Sequence, residues 1–317
     1  MTDASGPDAE DRGGRTGREE PPRPRSGLAR KIAAGIRRSL GDSPGAISDY
    51  SAPLGDPGLL GPDSMAWQVH ADLPGMLIGG FAALMFQTLH PLAMAGVAAH
   101  SRFREDPLGR LQRTARFVAG TTFGAMPFVE QLIGEVRTVH ERVRGIAPDG
   151  RPYAASDPDL LTFVHVTEVS NFLAGYQRYA ARPLLRVEKD QYFAEVAEVA
   201  RRLGARRVPT SLEEIRDYVG DIVPELRRSA QSDEALEFLR RPVGGSRTDS
   251  LAQMIIVNAA VDLLPRSVQA LIAPRGHTPG RRAVVVGAAG SFAIATRWAI
   301  GPSPVVSRSF DRVHGLR

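Results

Sequence analysis

Residues 109–145 read GRLQRTARFVAGTTFGAMPFVEQLIGEVRTVHERVRG and predict two successive amphipathic helices. The second helix carries an apolar stripe at the i, i+3, i+4, i+7 spacing that is typical of a core-facing helix. The residues of this stripe are Val129, Leu132, Ile133, Val136, Val139 and Val143. His140 follows Val136 by four residues and Ile133 by seven, so it projects from the same stripe. The helix alone leaves two interpretations open: a core histidine satisfied by a hydroxyl or carbonyl group, or a ligand of a buried group.

The first helix has a favourable start at Asp106-Pro107, because aspartate caps helices and proline suits the first helical position. Its apolar stripe consists of Leu108, Leu111, Ala115 and Val118. A separate face holds Arg110, Arg113, Thr114 and Phe117 at spacings of +3, +4 and +7. This face is either a solvated basic surface or the wall of a site. Phe117 and Thr121 on the same side argue against full exposure.

A cationic helix face beside a histidine in an apolar stripe is an arrangement that suits a buried haem. One residue ligates the iron, while cations and a hydroxyl group hold the propionates or line the opposite side. On this interpretation His140 is the metal ligand, and Arg110, Arg113 and Thr114 position oxygen or hold propionates. The pattern does not separate those last two roles.

Five segments carry a resemblance to a known family. They are LHPLAMAGVAAHS (89–101), DPLGRLQRT (106–114), FG (123–124), VRTVHERVRG (136–145) and FVHVTEVSNFLAGYQRY (163–179). In this order and spacing, over roughly residues 60–300, the chain resembles a catalytic domain of oxygenases. That domain is shared by the bacterial latex-clearing proteins (rubber oxygenases) and the fungal oxygenase that shortens the farnesyl chain in mycophenolic acid synthesis.

The resemblance implies an all-α fold, a single large helical domain with a buried pocket for b-type haem. It implies that His140 is the proximal ligand and that Arg110, Arg113 and Thr114 line the distal side. It places Arg144, four residues after the ligand, at the cofactor, and we add Phe117 and His165 as pocket residues. The implied activity is haem-dependent oxidation of a lipophilic substrate by dioxygen, with isoprenoids as the candidate class.

Two departures from the family pattern bear on the chemistry. Arg113 stands where the best-known rubber oxygenases have a lysine that can close onto the iron. A guanidinium stays protonated and has no free lone pair, so the sixth position is predicted to hold water or to be empty. Those enzymes also carry a catalytic glutamate near the stretch that matches residues 91–99, where PLAMAGVAA has no carboxylate. Cleavage of rubber itself is therefore not the expected reaction.

Two alternatives remain open. The missing glutamate favours a haem-binding sensor or carrier without turnover. The other alternative is a non-haem metal enzyme, since His165 and Glu168 form a His-x-x-Glu pair on one face of a helix opened by residues 156–158. Ferritin-like bundles use the reverse order twice, and no second copy occurs here. A buried hydrogen-bonded pair of His165 and Glu168 near the pocket is the preferred interpretation.

Composition divides the chain into four parts. Residues 1–26 have almost no apolar side chains and are predicted to be a disordered tail. Residues 27–62 form a lead-in that starts with a basic amphipathic helix (29–40), suited to the domain or to an anionic membrane surface, and continues irregularly. Residues 63–302 form the oxygenase-like domain, and residues 303–317 form a basic tail on the surface. Segments 76–100 and 281–300 are predicted as core helices, the first with a kink at Pro91.

The absence of cysteine excludes disulfides, thiolate-ligated haem and covalently attached haem. The net charge of +5 comes with 38 arginines and two lysines, but no basic stripe with interleaved aromatics follows, so no nucleic-acid partner is predicted. Without a hydrophobic leader at the N-terminus, the sequence predicts a cytoplasmic protein. The substrate and the oligomeric state are not determined by the sequence.

Overall fold

The computed structural model describes residues 49–242, 246–273 and 278–316. The predicted disordered tail and the amphipathic helix at residues 29–40 lie outside these residues. In the described part the fold consists of helices and one two-stranded sheet, which confirms the all-α class.

The helices in chain order have these bounds: α1 Met65–His70, α2 Leu73–Gln87, α3 Pro91–His100, α4 Pro107–Phe123, α5 Met126–Arg142, α6 Pro158–Tyr179 and α7 Arg186–Leu203. They continue as α8 Leu212–Ile222, α9 Ala230–Arg240, α10 Arg247–Leu263, α11 Arg266–Ile272, α12 Pro279–Ile300 and α13 Pro304–Val313, with a 3-10 turn at Val223–Glu225. Strands β1 (Arg144–Ile146) and β2 (Pro152–Ala154) form an antiparallel hairpin with Gly145 opposite Tyr153.

The helix starts that the sequence predicted are confirmed. Asp106 caps α4 by accepting a hydrogen bond from the Gly109 amide at 2.9 Å, and Asp157 caps α6 in the same way from Asp159 at 2.8 Å. Proline follows each cap. It costs no backbone hydrogen bond at this position, because the first amides of a helix have no partner within the helix. The predicted kink at Pro91 is also present, because α2 and α3 meet at an angle of 101°.

Helices α2 and α6 pack against each other at the centre of the molecule. Glycines make this approach possible: a Cβ at Gly79 would collide with the backbone of Asn171, and one at Gly175 with the backbone of Gly75. One large core lies on the α2 side, where Met85 and Phe86 pack with residues of α10 and α12. A second core lies between α1, α6 and α7 and holds Val166, Phe172 and Tyr192.

The C-terminal residues differ from their prediction as a basic surface tail. They form α13, and the Arg312 side chain at its end is 1% exposed. Arg312 donates hydrogen bonds to the carbonyl oxygens of Asp56 (3.0 Å), Tyr50 (3.2 Å) and Phe123 (2.9 Å). The surface-arm prediction is wrong. It rested on the net charge of the segment, and net charge cannot reveal that one of its arginines is buried and hydrogen-bonded to backbone carbonyl oxygens.

Helix α12 also differs from its prediction as a core helix. Only one stripe of it is buried, formed by the small residues Ala289, Ala293, Thr296 and Ala299. Val284, Ile294 and Trp298 on its other side are more than half exposed. Helix α12 is long and apolar enough to cross a membrane. Helices α2 and α3 reach that length and apolar character only if the bent pair is counted as one span.

Candidate functional site

Helices α4 and α5 run antiparallel and bring two of the predicted site residues to the same end of the pair. Gly120 of α4 faces Leu132 of α5, and Arg116 binds Glu135 at 3.3 Å. Each further turn towards the start of α4 therefore meets a later turn of α5, at a rise of 1.5 Å per residue. This register places Arg110 near the end of α5 that carries His140.

His140 lies in the last turn of α5 and is half-buried. Burial lowers the pKa of its imidazole, so the ring is neutral at pH 7 and has a free lone pair. Within the described residues no group donates to or accepts from the ring. This disfavours the first interpretation, a core histidine satisfied by a hydroxyl or carbonyl group, and leaves the nitrogen available to a ligand.

The apolar stripe around His140 is only partly as predicted. Val129, Leu132 and Ile133 are buried, but Val136 and Val143 are half-buried and Val139 is 57% exposed. The core-facing assignment of Val139 is therefore wrong: the last turns of α5 extend past the densely packed region. At that end Val139 is an exposed apolar side chain beside the histidine, among the exposed polar residues Arg137, Glu141 and Arg142.

Arg110 lies on the inner part of α4, half-buried. Its Nη1 donates to the Ser101 hydroxyl at 3.0 Å, and no carboxylate pairs with it in the part of the chain that the structure describes. Burial, and then the charge of Arg113, lower the pKa of this guanidinium. A desolvated cation that lacks a carboxylate partner is suited to binding an anionic group from outside the chain.

Arg113 and Thr114 lie on the exposed side of α4. The Arg113 side chain is 63% exposed and pairs with Asp106 at 3.2 Å. The Thr114 hydroxyl donates to the carbonyl of Arg110 one turn earlier, at 3.2 Å. Phe117, on the same face, is half-buried beside the cluster of Trp67 and Phe123. The structure thus separates Arg110, which is enclosed, from its two predicted companions.

The remaining predicted residues divide between the surface and the interior. Arg144 begins β1 and is exposed. His165, by contrast, is 8% exposed on α6, and its Nε2 is buried with no hydrogen-bond partner among the described residues. Glu168 lies one turn further on the same face and is half-buried. His165 and Glu168 share one face of α6, as predicted. The predicted hydrogen bond between their side chains is not formed in the described part of the chain.

Three residues that sequence reasoning missed complete this interior cluster. His70, at the end of α1, lies with its Nδ1 2.7 Å from the Thr122 hydroxyl of α4 and its Nε2 3.0 Å from the Tyr192 hydroxyl of α7. Thr122 donates its own proton to the Val118 carbonyl at 2.7 Å. Since that oxygen can then only accept, Nδ1 of His70 carries the proton and Nε2 accepts from Tyr192.

The ionisable side chains of the interior cluster have strongly shifted pKa values. Burial, and then His165, lower the pKa of His70 to about 3; burial, and then Arg201, lower that of His165 to about 4. Burial raises the pKa of Glu168 to about 7. It also raises the pKa of Tyr192 far above 10, with the charges of Glu168 and Glu195 adding to the effect. Such perturbed groups in one interior location are typical of functional sites.

A protein-ligated metal centre is not supported in the same residues. The described ranges contain no group of three or more histidine, aspartate or glutamate side chains placed to hold a metal ion. His165 and Glu168 therefore lack a third protein ligand. A haem needs only one axial side chain, because its four equatorial ligands belong to the porphyrin.

The comparisons with known proteins give one family. Residues 67–298, nearly three quarters of the chain, match the model described as "ER-bound oxygenase mpaB/B'/Rubber oxygenase, catalytic domain". The match covers every helix that carries a predicted site residue, from α4 to α6. No curated protein and no solved structure matches the chain.

Proposed function

Because the chain belongs to the family of mpaB and rubber oxygenase catalytic domains, and so to a family of oxygenases, we propose that it is a haem b-dependent oxygenase of a lipophilic substrate. The observation that carries the proposal is the antiparallel register of α4 and α5, which puts His140 and Arg110 at the same end of the helix pair. Among the described residues, His140 has no hydrogen-bond partner for its neutral imidazole, and the desolvated guanidinium of Arg110 has no carboxylate partner.

These two residues fit the group that the family implies. His140 would ligate the iron through its free imidazole nitrogen, and the exposed Val139 side chain beside it would contact the porphyrin. Arg110 would bind a propionate, because guanidinium and carboxylate groups pair bidentately. When bound, the haem would supply the redox-active iron that reacts with dioxygen. Ser101 would hold Arg110 in place.

Apart from holding the haem, residues of α4 would enclose the substrate. Half-buried apolar side chains of α4, among them Leu111, Ala115 and Val118, lie between Arg110 and the interior cluster near Thr122. They offer no hydrogen bond and therefore favour a hydrocarbon portion of the substrate. Arg113 and Thr114, exposed in this structure, act in the proposal at the entrance rather than at the iron.

The alternative of a haem-binding carrier without turnover rests on one specific observation. Residues 91–99 of α3 contain no carboxylate, so the position at which related rubber oxygenases carry a glutamate lacks a base. The non-haem alternative has less support, since His165 and Glu168 find no third ligand in the described chain.

Two measurements on the purified protein test the proposal. A visible spectrum with a Soret band and a haem stoichiometry near one per chain would support haem binding. Oxygen consumption with a panel of isoprenoid alkenes and alcohols then separates oxygenase from carrier. An intense Soret band with no substrate-dependent oxygen uptake would favour the carrier, and protein reconstituted with haem that still shows no Soret band would contradict both.

A further inference from the structure

Helix α12 presents an apolar face that no other described part of the fold covers. Its buried stripe of small residues packs on the domain, whereas Val284, Ile294 and Trp298 on the opposite side are 71%, 69% and 57% exposed. Every exposed residue from 283 to 298 is uncharged. The face therefore runs for about four turns of the helix. Extended apolar surface of this kind marks an interaction site.

Helix α10 extends this face. Arg281 at the start of α12 donates to the Asn258 side chain of α10 at 3.4 Å, so the two helices lie side by side at this point. Met254 precedes Asn258 by four residues and Leu251 precedes it by seven, so both share its face of α10. Their side chains are 55% and 51% exposed. We call these two residues and the three on α12 the α10–α12 face.

The charge around the α10–α12 face is positive. Residues 263–310 contain six arginines and no aspartate or glutamate, although the whole chain holds 35 acidic residues. Two of these arginines are neutralised by aspartates of neighbouring helices, at 2.7 Å each. Arg266, Arg281 and Arg308 are exposed, and no carboxylate pairs with them within the described residues. An anionic partner suits this surface. A second copy of the chain would instead bring arginines together with no carboxylate on either α12 to pair with them.

Helix α12 is tied to the domain near both ends, so its face can lie on a bilayer while the helix does not cross it. Arg282 pairs with Asp262 at 2.7 Å. Arg297 donates to the Asp72 carboxylate at 2.7 and 3.0 Å and to the Tyr179 carbonyl at 2.8 Å. The stretch without charge between these two arginines, residues 283–296, has 14 residues. That is about 21 Å of helix, against about 30 Å for a hydrocarbon core.

We propose that the α10–α12 face docks on an anionic phospholipid bilayer, with α12 parallel to the membrane plane. In the docked state Val284, Ile294 and Trp298 lie at the boundary between headgroups and acyl chains, the depth at which tryptophan is enriched. Arg266 and Arg281 pair with lipid phosphates. The proposal does not rest on the oxygenase function, because no residue assigned to haem or oxygen lies on α10 or α12.

Co-sedimentation of the purified full chain with vesicles tests the proposal. One set of vesicles consists of phosphatidylcholine alone, and the other contains equal parts of phosphatidylcholine and phosphatidylglycerol. We expect stronger binding to the anionic set, weakened by added salt. Arg281→Gln should weaken this binding about fivefold, the effect of one arginine near an anionic surface.

An aspartate on the face gives the sharper comparison. Ile294→Asp should weaken binding at least about tenfold, because an apolar side chain leaves the bilayer and a negative charge replaces it. Ile146→Asp is the matched control, since this isoleucine is also 69% exposed but lies on the β-hairpin that packs against α3. It should leave binding unchanged.

Tryptophan fluorescence gives a second readout. The chain has two tryptophans, and Trp67 is buried at 5% exposure whereas Trp298 is exposed. Anionic vesicles should therefore shift the emission to shorter wavelength through Trp298. Wild type and Ile146→Asp should show this shift, and Trp298→Phe should not.

No binding to the anionic vesicles, or equal binding by Ile294→Asp and Ile146→Asp, would overturn the proposal. The second result would assign the lipid contact to another segment, such as residues 29–40. A dimer that forms without vesicles and is dissociated by Ile294→Asp would also overturn it, because the face would then belong to a second copy. If circular dichroism shows that Ile294→Asp does not fold, Arg281→Gln and the exposed Trp298→Ser decide.

Discussion

The carboxyl group of Glu168 should make the protein less stable at neutral pH than at mildly acidic pH, and Glu168→Gln should remove this penalty. Burial raises its pKa in the folded protein from the ordinary 4.5 to about 7. Between these values the folded state holds a proton that the unfolded state has released. Stability from this group is therefore complete below about pH 4.5 and is lost as the pH rises towards 7.

The size of the effect follows from the two pKa values. At 1.36 kcal/mol for each pKa unit, the rise from 4.5 to about 7 corresponds to about 3 kcal/mol of lost stability at pH 8. Residual solvation of the half-buried side chain reduces this to about 2–3 kcal/mol. Glutamine resembles the protonated acid in shape and polarity, so it should recover that amount at pH 8 and almost nothing at pH 4.5.

Urea unfolding followed by circular dichroism, for wild type and variant at pH 4.5, 6 and 8, measures the difference. Only the difference isolates Glu168, because His70 and His165 have lowered pKa values and destabilise the protein as the pH falls below about 6.5. Glu213→Gln, at an exposed glutamate on α8, is the control and should change little. A Glu168→Gln variant that is no more stable than wild type at pH 8 would refute the reasoning.

Three further predictions concern other parts of the molecule. Arg312→Met should lower the free energy of unfolding by about 3 kcal/mol or more, because three carbonyl oxygens lose a charged donor; unchanged urea unfolding would contradict this. Arg110→Ala should raise the dissociation constant for haem by about tenfold through loss of a propionate partner, while the exposed Thr114→Ala should leave it nearly unchanged; equal effects in a haem titration would contradict the assignment. With Arg113 in place of a lysine, ferric protein should shift its Soret band on addition of imidazole, and a spectrum that does not respond would count against an open sixth position.

Much of the fold could be predicted from local signals. The caps Asp106 and Asp157, each followed by proline, act within a few residues of the helix that they start. The bend before Pro91 has an equally local cause. The buried state of Arg312 could not be predicted in this way, since its carbonyl partners lie about 190 to 260 residues away in sequence.

In the candidate site, too, local sequence signals predict some features, whereas others depend on contacts between distant parts of the chain. The spacing on α5 located His140, and the helix face of α4 located Arg110, but periodicity could not tell which members of that face are enclosed. Arg113 and Thr114 share the spacing of Arg110 and yet are exposed. His70 joins the interior cluster only because α1 packs between α4 and α7, and no local pattern around it predicts that contact. The cytoplasmic location stays a prediction.

Haem content of His140→Ala compared with His165→Ala tests the central claim most directly. Both variants remove one imidazole, but only His140 is proposed to ligate iron. Purified in parallel and titrated with haem, His140→Ala should lose most of the bound haem and its Soret band, while His165→Ala should keep both. Full haem content and an unchanged Soret band in His140→Ala would contradict the assignment of His140 as the ligand.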